Sequence, residues 1–147
     1  MIVLDAYALV ALLAGEPAGK LLAPRLEPGE VVIAAANLAE SLDVLNRVHG
    51  IPVPRTSTLI GAIVNDAVKV IPLDARIAYR AAELRGTYYR RRGAELSLAD
   101  CMVIASAPLG SIIATSDAPL AAMARAEVFE VFALPDSTGE RDRKSVV

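Results

Sequence analysis

Three short apolar runs punctuate the chain: Ile2-Val3-Leu4, Val31-Val32-Ile33-Ala34-Ala35 and Ser111-Ile112-Ile113-Ala114-Thr115. Each reads as a strand covered on both faces, where the alternation of a half-exposed strand disappears. Lys69-Val70-Ile71-Pro72-Leu73 is a fourth candidate, and its internal proline points to a sheet edge. Val128 to Leu134 is the last. Between these runs lie helical stretches with recognisable starts and stops. Asp5 caps a helix from Ala6 to Ala14 that Gly15 and Pro17 end, and a short helix around Ala18 to Leu26 follows within a polar stretch. Asn37 opens a helix to about Val48, and Pro54 and Thr56 introduce another to about Asp66. Asp74 caps a long helix to about Arg92, ended by Gly93. Ser97 starts a helix closed by Pro108 and Gly110, and Asp117 with Pro119 begins the last one, to about Ala124. This alternation predicts a mainly parallel sheet wrapped by helices, with a site beyond the carboxyl ends of its strands.

The helix after Ser97 is apolar on nearly every side, which places it in the core. Asp100 is its single carboxylate. From Cys101 to Ala124 the only charged residue is Asp117, and in the first fifteen residues it is Asp5. Burying such groups is expensive, so each needs a hydrogen-bonded role or a cation. The structural roles are available: Asn37 with Glu40 and Ser97 with Asp100 are spaced as capping boxes, and Asp5 and Asp117 suit N-caps. Taken singly, capping explains each acid. Taken together, four acids at helix N-termini, three of them in nearly uncharged sequence, repel one another if they converge, and no Lys or Arg adjoins any of them. A divalent cation relieves that repulsion. An oxygen-only donor set suits Mg²⁺ or Mn²⁺, and no Cys/His set for zinc exists. The lone His49 suits a surface or helix-end position, and Asp43, one turn beyond Glu40, an exposed one.

The totals narrow the class. At 147 residues the chain fits one domain, and 54% hydrophobic residues with 4% aromatics call for closely packed Ala, Val, Leu and Ile on regular elements. Fifteen Lys and Arg against seventeen Asp and Glu leave a charge of -2, so nucleic-acid binding needs a local basic patch. Arg85, Arg90, Arg91 and Arg92, with Tyr88 and Tyr89 among them, are the densest one. They suit either the solvated end of a helix or contacts to RNA phosphates with a tyrosine stacked on a base. Cys101 is the only cysteine, so no intrachain disulfide forms and a reducing cytoplasm is expected. The apolar N-terminus lacks the basic flank of a signal peptide and is too short to span a bilayer, so no membrane association is expected. Residues 1–134 are expected as the domain and 135–147 as a polar, mobile tail.

Four stretches together carry a resemblance: Val3-Leu4-Asp5-Ala6-Tyr7, Asn37-Leu38-Ala39-Glu40-Ser41, Leu96-Ser97-Leu98-Ala99-Asp100 and Ala114-Thr115-Ser116-Asp117. In order and in the element before each acid, they resemble the acidic motifs of PIN-domain ribonucleases, in particular VapC-type toxins of toxin-antitoxin pairs. The resemblance implies a three-layer α/β/α sandwich with a central, mainly parallel sheet. It implies catalytic roles for Asp5, Glu40, Asp100 and Asp117, with Asp5, Asp100 and Asp117 holding Mg²⁺ or Mn²⁺ and Thr115 supporting them. One or two ions would activate water for hydrolysis of an RNA phosphodiester. A homodimer and a small antitoxin that obstructs the pocket are implied too, and the apolar content of residues 31–48 and 56–64 exceeds what one thin sheet covers. Tyr7 departs from the small polar residue often found at its position. The alternative from another class is a catalytically silent PIN-like module that binds RNA or protein through incidentally acidic helix caps.

Overall fold

The computed structural model describes residues 1–89 and 95–140, with the backbone alone described at residues 63–66. In chain order it contains β1 (Ile2–Leu4), α1 (Ala6–Ala14), α2 (Pro17–Leu22) with a 3₁₀ turn at Ala23–Arg25, β2 (Val31–Ala34), α3 (Ala35–Arg47), α4 (Val53–Asp66) and β3 (Val68–Ile71). Then follow α5 (Ala75–Tyr88), α6 (Leu98–Ser106), β4 (Ile112–Thr115), α7 (Ala118–Ala126) and β5 (Glu130–Ala133). The five strands form one parallel sheet in the order β3-β2-β1-β4-β5. The expected three-layer α/β/α architecture is therefore present.

Strand composition follows position. In the interior strands β1, β2 and β4, successive residues serve opposite faces of the sheet. Val3, Val32 and Ile113 pack with Ile77, Ala81 and Leu84 of α5, Cys101, Val103 and Ile104 of α6, and Leu120 and Met123 of α7. Leu4, Ile33 and Ala114 pack on the other side with Ala8 and Leu9 of α1, Leu22 of α2 and Ile60 of α4, with Leu38 and Leu42 of α3 against them. β3 lies at an edge, as expected, but it runs Val68–Ile71 and stops before Pro72 instead of containing it; Lys69 of β3 and Glu130 of β5 are exposed. On the α1 side the helices approach closely: a Cβ on Gly19 would lie 2.2 Å from Ala11 O, so only glycine admits α2 at that crossing. Among the described residues no single helix is long and apolar enough to cross a membrane.

Several element boundaries differ from the sequence expectation. α3 begins at Ala35, with Ala34 in the capping position and no side-chain cap. Alanines carry the helix up to the end of β2, so Asn37 lies inside the helix rather than capping it. Glu40 is thereby left in the second turn, outside any capping box. α5 ends at Tyr88, with Tyr89 extended, rather than at Arg92. Thr87, Tyr88 and Tyr89 are weak helix formers, and the Tyr88 hydroxyl is held by Glu127 Oε1 at 2.7 Å. Arg90, Arg91, Arg92 and Gly93 lie outside the described residues. α7 continues past Ala124 and is closed by backbone bonds from Val128 N to Arg125 O and Phe129 N to Ala124 O, so β5 starts later than Val128. Beyond β5, the Tyr7 hydroxyl donates to Pro135 O at 3.1 Å, and Asp136 Oδ1 accepts from the N–H groups of Thr138 and Glu140. Residues 141–147 are outside the described residues.

Candidate active site

β1 occupies the point where the strand order reverses. The chain leaves it for β2 and β3 on one side and returns to its other side with β4 and β5. Asp5 immediately follows β1, and Asp117 lies two residues past β4. Parallel strands with antiparallel-running helices bring the N-termini of α1, α3, α6 and α7 to this same end of the sheet. Glu40 and Asp100 belong to α3 and α6.

Three of the four acids are bonded as helix caps. Asp5 Oδ1 accepts from Ala8 N at 2.7 Å and Asp117 Oδ1 from Leu120 N at 2.7 Å. Asp100 completes the capping box expected with Ser97: its Oδ2 accepts from Ser97 N at 2.7 Å while Asp100 N donates to Ser97 Oγ at 3.0 Å. Thr115 is fully buried at the end of β4, and its Oγ1 accepts from Asp117 N at 3.0 Å. Glu40 makes no such capping bond among the described residues.

Capping does not settle the electrostatics. Asp5 is only 5% exposed, and its carboxyl is raised to about 7, with burial the largest cause. Hydrogen bonds from Thr115 and from Ala8 N pull it down, and the charges of Asp100 and Asp117 push it further up. Asp117 is raised by desolvation and then by Asp100, and Glu40 by desolvation, then by Asp100 and Asp43. The charge of Asp100 thus acts on Asp5, Glu40 and Asp117 together. Even so, among the described residues no three acidic, histidine or cysteine side chains gather closely enough to hold one ion as they stand. Asp5, Asp100 and Asp117 each use one oxygen in a cap. The donor set fits a hard divalent cation in chemistry, being all oxygen. The largest influences on Asp5 include no cation.

The other sequence candidates have partners of their own. Asp43 is exposed and held by Arg47, which lowers its carboxyl. His49 Nε2 lies 3.9 Å from Glu16 Oε1. Arg85 stacks over the Tyr89 ring, 4.8 Å from its centre, and is near enough to lower the Cys101 thiol that burial and Asp100 raise. Tyr88 is bound to Glu127 and partly buried against the core, which removes it from base stacking. Sequence reading passed over the stripe formed by Asn37, Ser41 and Leu45, the buried residues of α3. Its signal was present as a spacing of four and four, masked by assigning Asn37 to the cap.

Solved structures share this fold. FitAcB from Neisseria gonorrhoeae superposes with a TM-score of 0.62 at 20% identity, covering 90% of this chain and 96% of that one. VapBC-1 from nontypeable Haemophilus influenzae gives 0.63 at 14% identity, with 90% and 98% covered. VapC20 from Mycobacterium tuberculosis, described as a Sarcin-Ricin loop cleaving toxin, gives 0.58 at 21% identity, with 92% and 91% covered. No curated protein matches the sequence. The PIN domain model, however, matches residues 2–126, most of the chain's length, and the chain accordingly belongs to the PIN domain family.

Proposed function

We propose that this protein is a Mg²⁺- or Mn²⁺-dependent endoribonuclease that hydrolyses RNA phosphodiester bonds as the toxin of a toxin-antitoxin pair in the cytoplasm. The observation that carries this reading is Asp5, a buried carboxylate at the switch point of the sheet, raised to about 7 and pushed by two further aspartates. Family membership supports nuclease chemistry, and the fold likeness to toxins solved as toxin-antitoxin complexes supports a small cognate antitoxin as partner.

On this reading Asp5, Asp100 and Asp117 would hold the cation, and Thr115 would favour the ionised form of Asp5 by hydrogen bonding. When bound, the cation supplies Lewis acidity that activates water and neutralises charge on the scissile phosphate. Glu40, outside the capping bonds and raised in pKa, accepts a proton at its carboxylate. Arg85, with Arg90, Arg91 and Arg92 beyond the described helix end, binds RNA phosphates.

The test is a melt and a cleavage assay on one preparation. Mg²⁺ or Mn²⁺ should raise the melting temperature saturably, EDTA should reverse this, and RNA cleavage should follow the same titration. A specific observation favours the second reading, a catalytically silent module binding RNA or protein: the three aspartates are already bonded as caps, and among the described residues no three acids gather closely. A melt indifferent to both cations, with no cleavage, assigns the protein to that class.

The proposed toxin is also a homodimer. Val48, Val53 and Leu59, on the α3–α4 side, are exposed large hydrophobics, consistent with a covered surface there. Light scattering of the isolated protein at micromolar concentration should return a dimer mass, and a monomer mass overturns this assignment.

A further inference from the structure

Asn37 is fully buried, and neither its amide oxygen nor its amide nitrogen has a hydrogen-bond partner among the described residues. An amide left in that state is expensive, and a buried orphan calls for an explanation. Its place supplies one. Asn37, Ser41 and Leu45 form the buried stripe of α3, and Ser41 Oγ lies 3.2 Å from Ala6 O and 2.7 Å from Asn37 O. The stripe is thus docked at the first residue of α1. α1 and α3 both start at the carboxyl ends of neighbouring parallel strands and run the same way. Moving one turn from Ser41 to Asn37, about 5.4 Å, therefore moves from Ala6 toward Asp5, the cap of α1. Asn37 is thus the buried polar side chain of α3 one turn nearer the Asp5 end than Ser41.

We propose that Asn37 is a positioning residue of the acidic site, its amide holding an ordered water that hydrogen-bonds the Asp5 carboxylate and orients it toward the cation. Such a role gives the amide the partner it lacks, as the Ser41 hydroxyl on the same stripe already has in Ala6 O and Asn37 O, and it rests on the cation-binding reading above. Asn37 does not touch substrate, being fully enclosed; it acts through Asp5.

Asn37→Leu separates the alternatives because leucine keeps the same branched arrangement of side-chain heavy atoms without the polar ones, and suits a helix better. For an idle buried amide, the change should stabilise the protein and leave cation affinity alone. For a positioning residue, Mn²⁺ affinity, read as free Mn²⁺ by electron paramagnetic resonance, should weaken by about 10- to 100-fold. In the cation-free variant the ¹³C-detected titration of the Asp5 carboxyl should move upward as its water-bridged donor is lost. Asn37→Ser, which keeps a donor and acceptor with room for a further water, should recover most of the affinity. If the leucine variant does not fold, Asn37→Ala is read in its place. Parent and variant binding Mn²⁺ within twofold of each other, with the Asp5 titration unmoved, overturns the proposal and leaves the cation site standing. A parent protein that binds no Mn²⁺ overturns the cation site and this role with it.

Discussion

Replacing Asp5 with asparagine should make the cation-free protein markedly more stable above neutral pH while abolishing cleavage. The native carboxyl titrates at about 7 instead of its ordinary 3.8. Between those values the folded protein keeps a proton that the unfolded chain has released, so wild-type stability contributed by Asp5 falls as pH rises and levels off above about 7. The gap corresponds to an upper limit on the order of 4 kcal/mol. Asparagine stays neutral throughout, and its side-chain oxygen can still accept from Ala8 N. Urea denaturation in EDTA should therefore give curves that nearly coincide near pH 4 and separate progressively toward pH 8, with the variant the more stable. Saturating Mn²⁺ should close the gap from the wild-type side only, because the cation takes the proton's place on the carboxylate. Loss of a buried, preorganised charge at the reacting centre should lower cleavage by about 10²- to 10³-fold. A constant stability difference across pH, or cleavage at the wild-type rate, contradicts the assignment of Asp5.

Asp100→Asn should affect three other carboxylates at once. Asp100 raises Asp5, Glu40 and Asp117, so removing its charge should lower the titration points of all three, measurable by carboxyl ¹³C resonances in EDTA. The substitution has an opposing local effect. Asp100 closes a full capping box on α6, and asparagine retains an acceptor for Ser97 N but loses the favourable charge at the helix N-terminus, worth about 0.3–1 kcal/mol. Relief of repulsion on Asp5 and its neighbours offsets that loss above neutral pH, so the cation-free variant should melt at or above the wild-type temperature there. Cation-induced stabilisation and RNA cleavage should both fall sharply. A variant that melts lower without cation yet cleaves RNA at the wild-type rate shows Asp100 to be a cap alone.

Much of the architecture was readable along the chain, because the forces that set it act within a few residues. Apolar runs at Ile2, Val31 and Ile112 specify strands buried on both faces. Asp5, Asp74, Ser97 and Asp117 each satisfy N–H groups three residues ahead, and those caps stand where the sequence placed them. The same local logic misplaced Asn37, since alanine propensity extended α3 back to Ala35 and the packing of α3 on α1 enclosed the amide. It also overran α5, whose end is tied to Glu127, a residue 39 positions away from Tyr88.

The sequence by itself determined the strands, most of the caps and the set of acids that lack neighbouring cations. Only the tertiary structure decided which acids act on one another and how strongly. Strand order β3-β2-β1-β4-β5 puts Asp5 beside the ends of β4 and α6, and the layers closing over it remove water from its carboxylate. Capping is a property of four consecutive residues. Desolvation and Coulomb coupling depend on whatever the fold packs nearby, so the elevated pKa of Asp5 and the buried amide of Asn37 arise only once residues far apart in the chain share one end of the sheet.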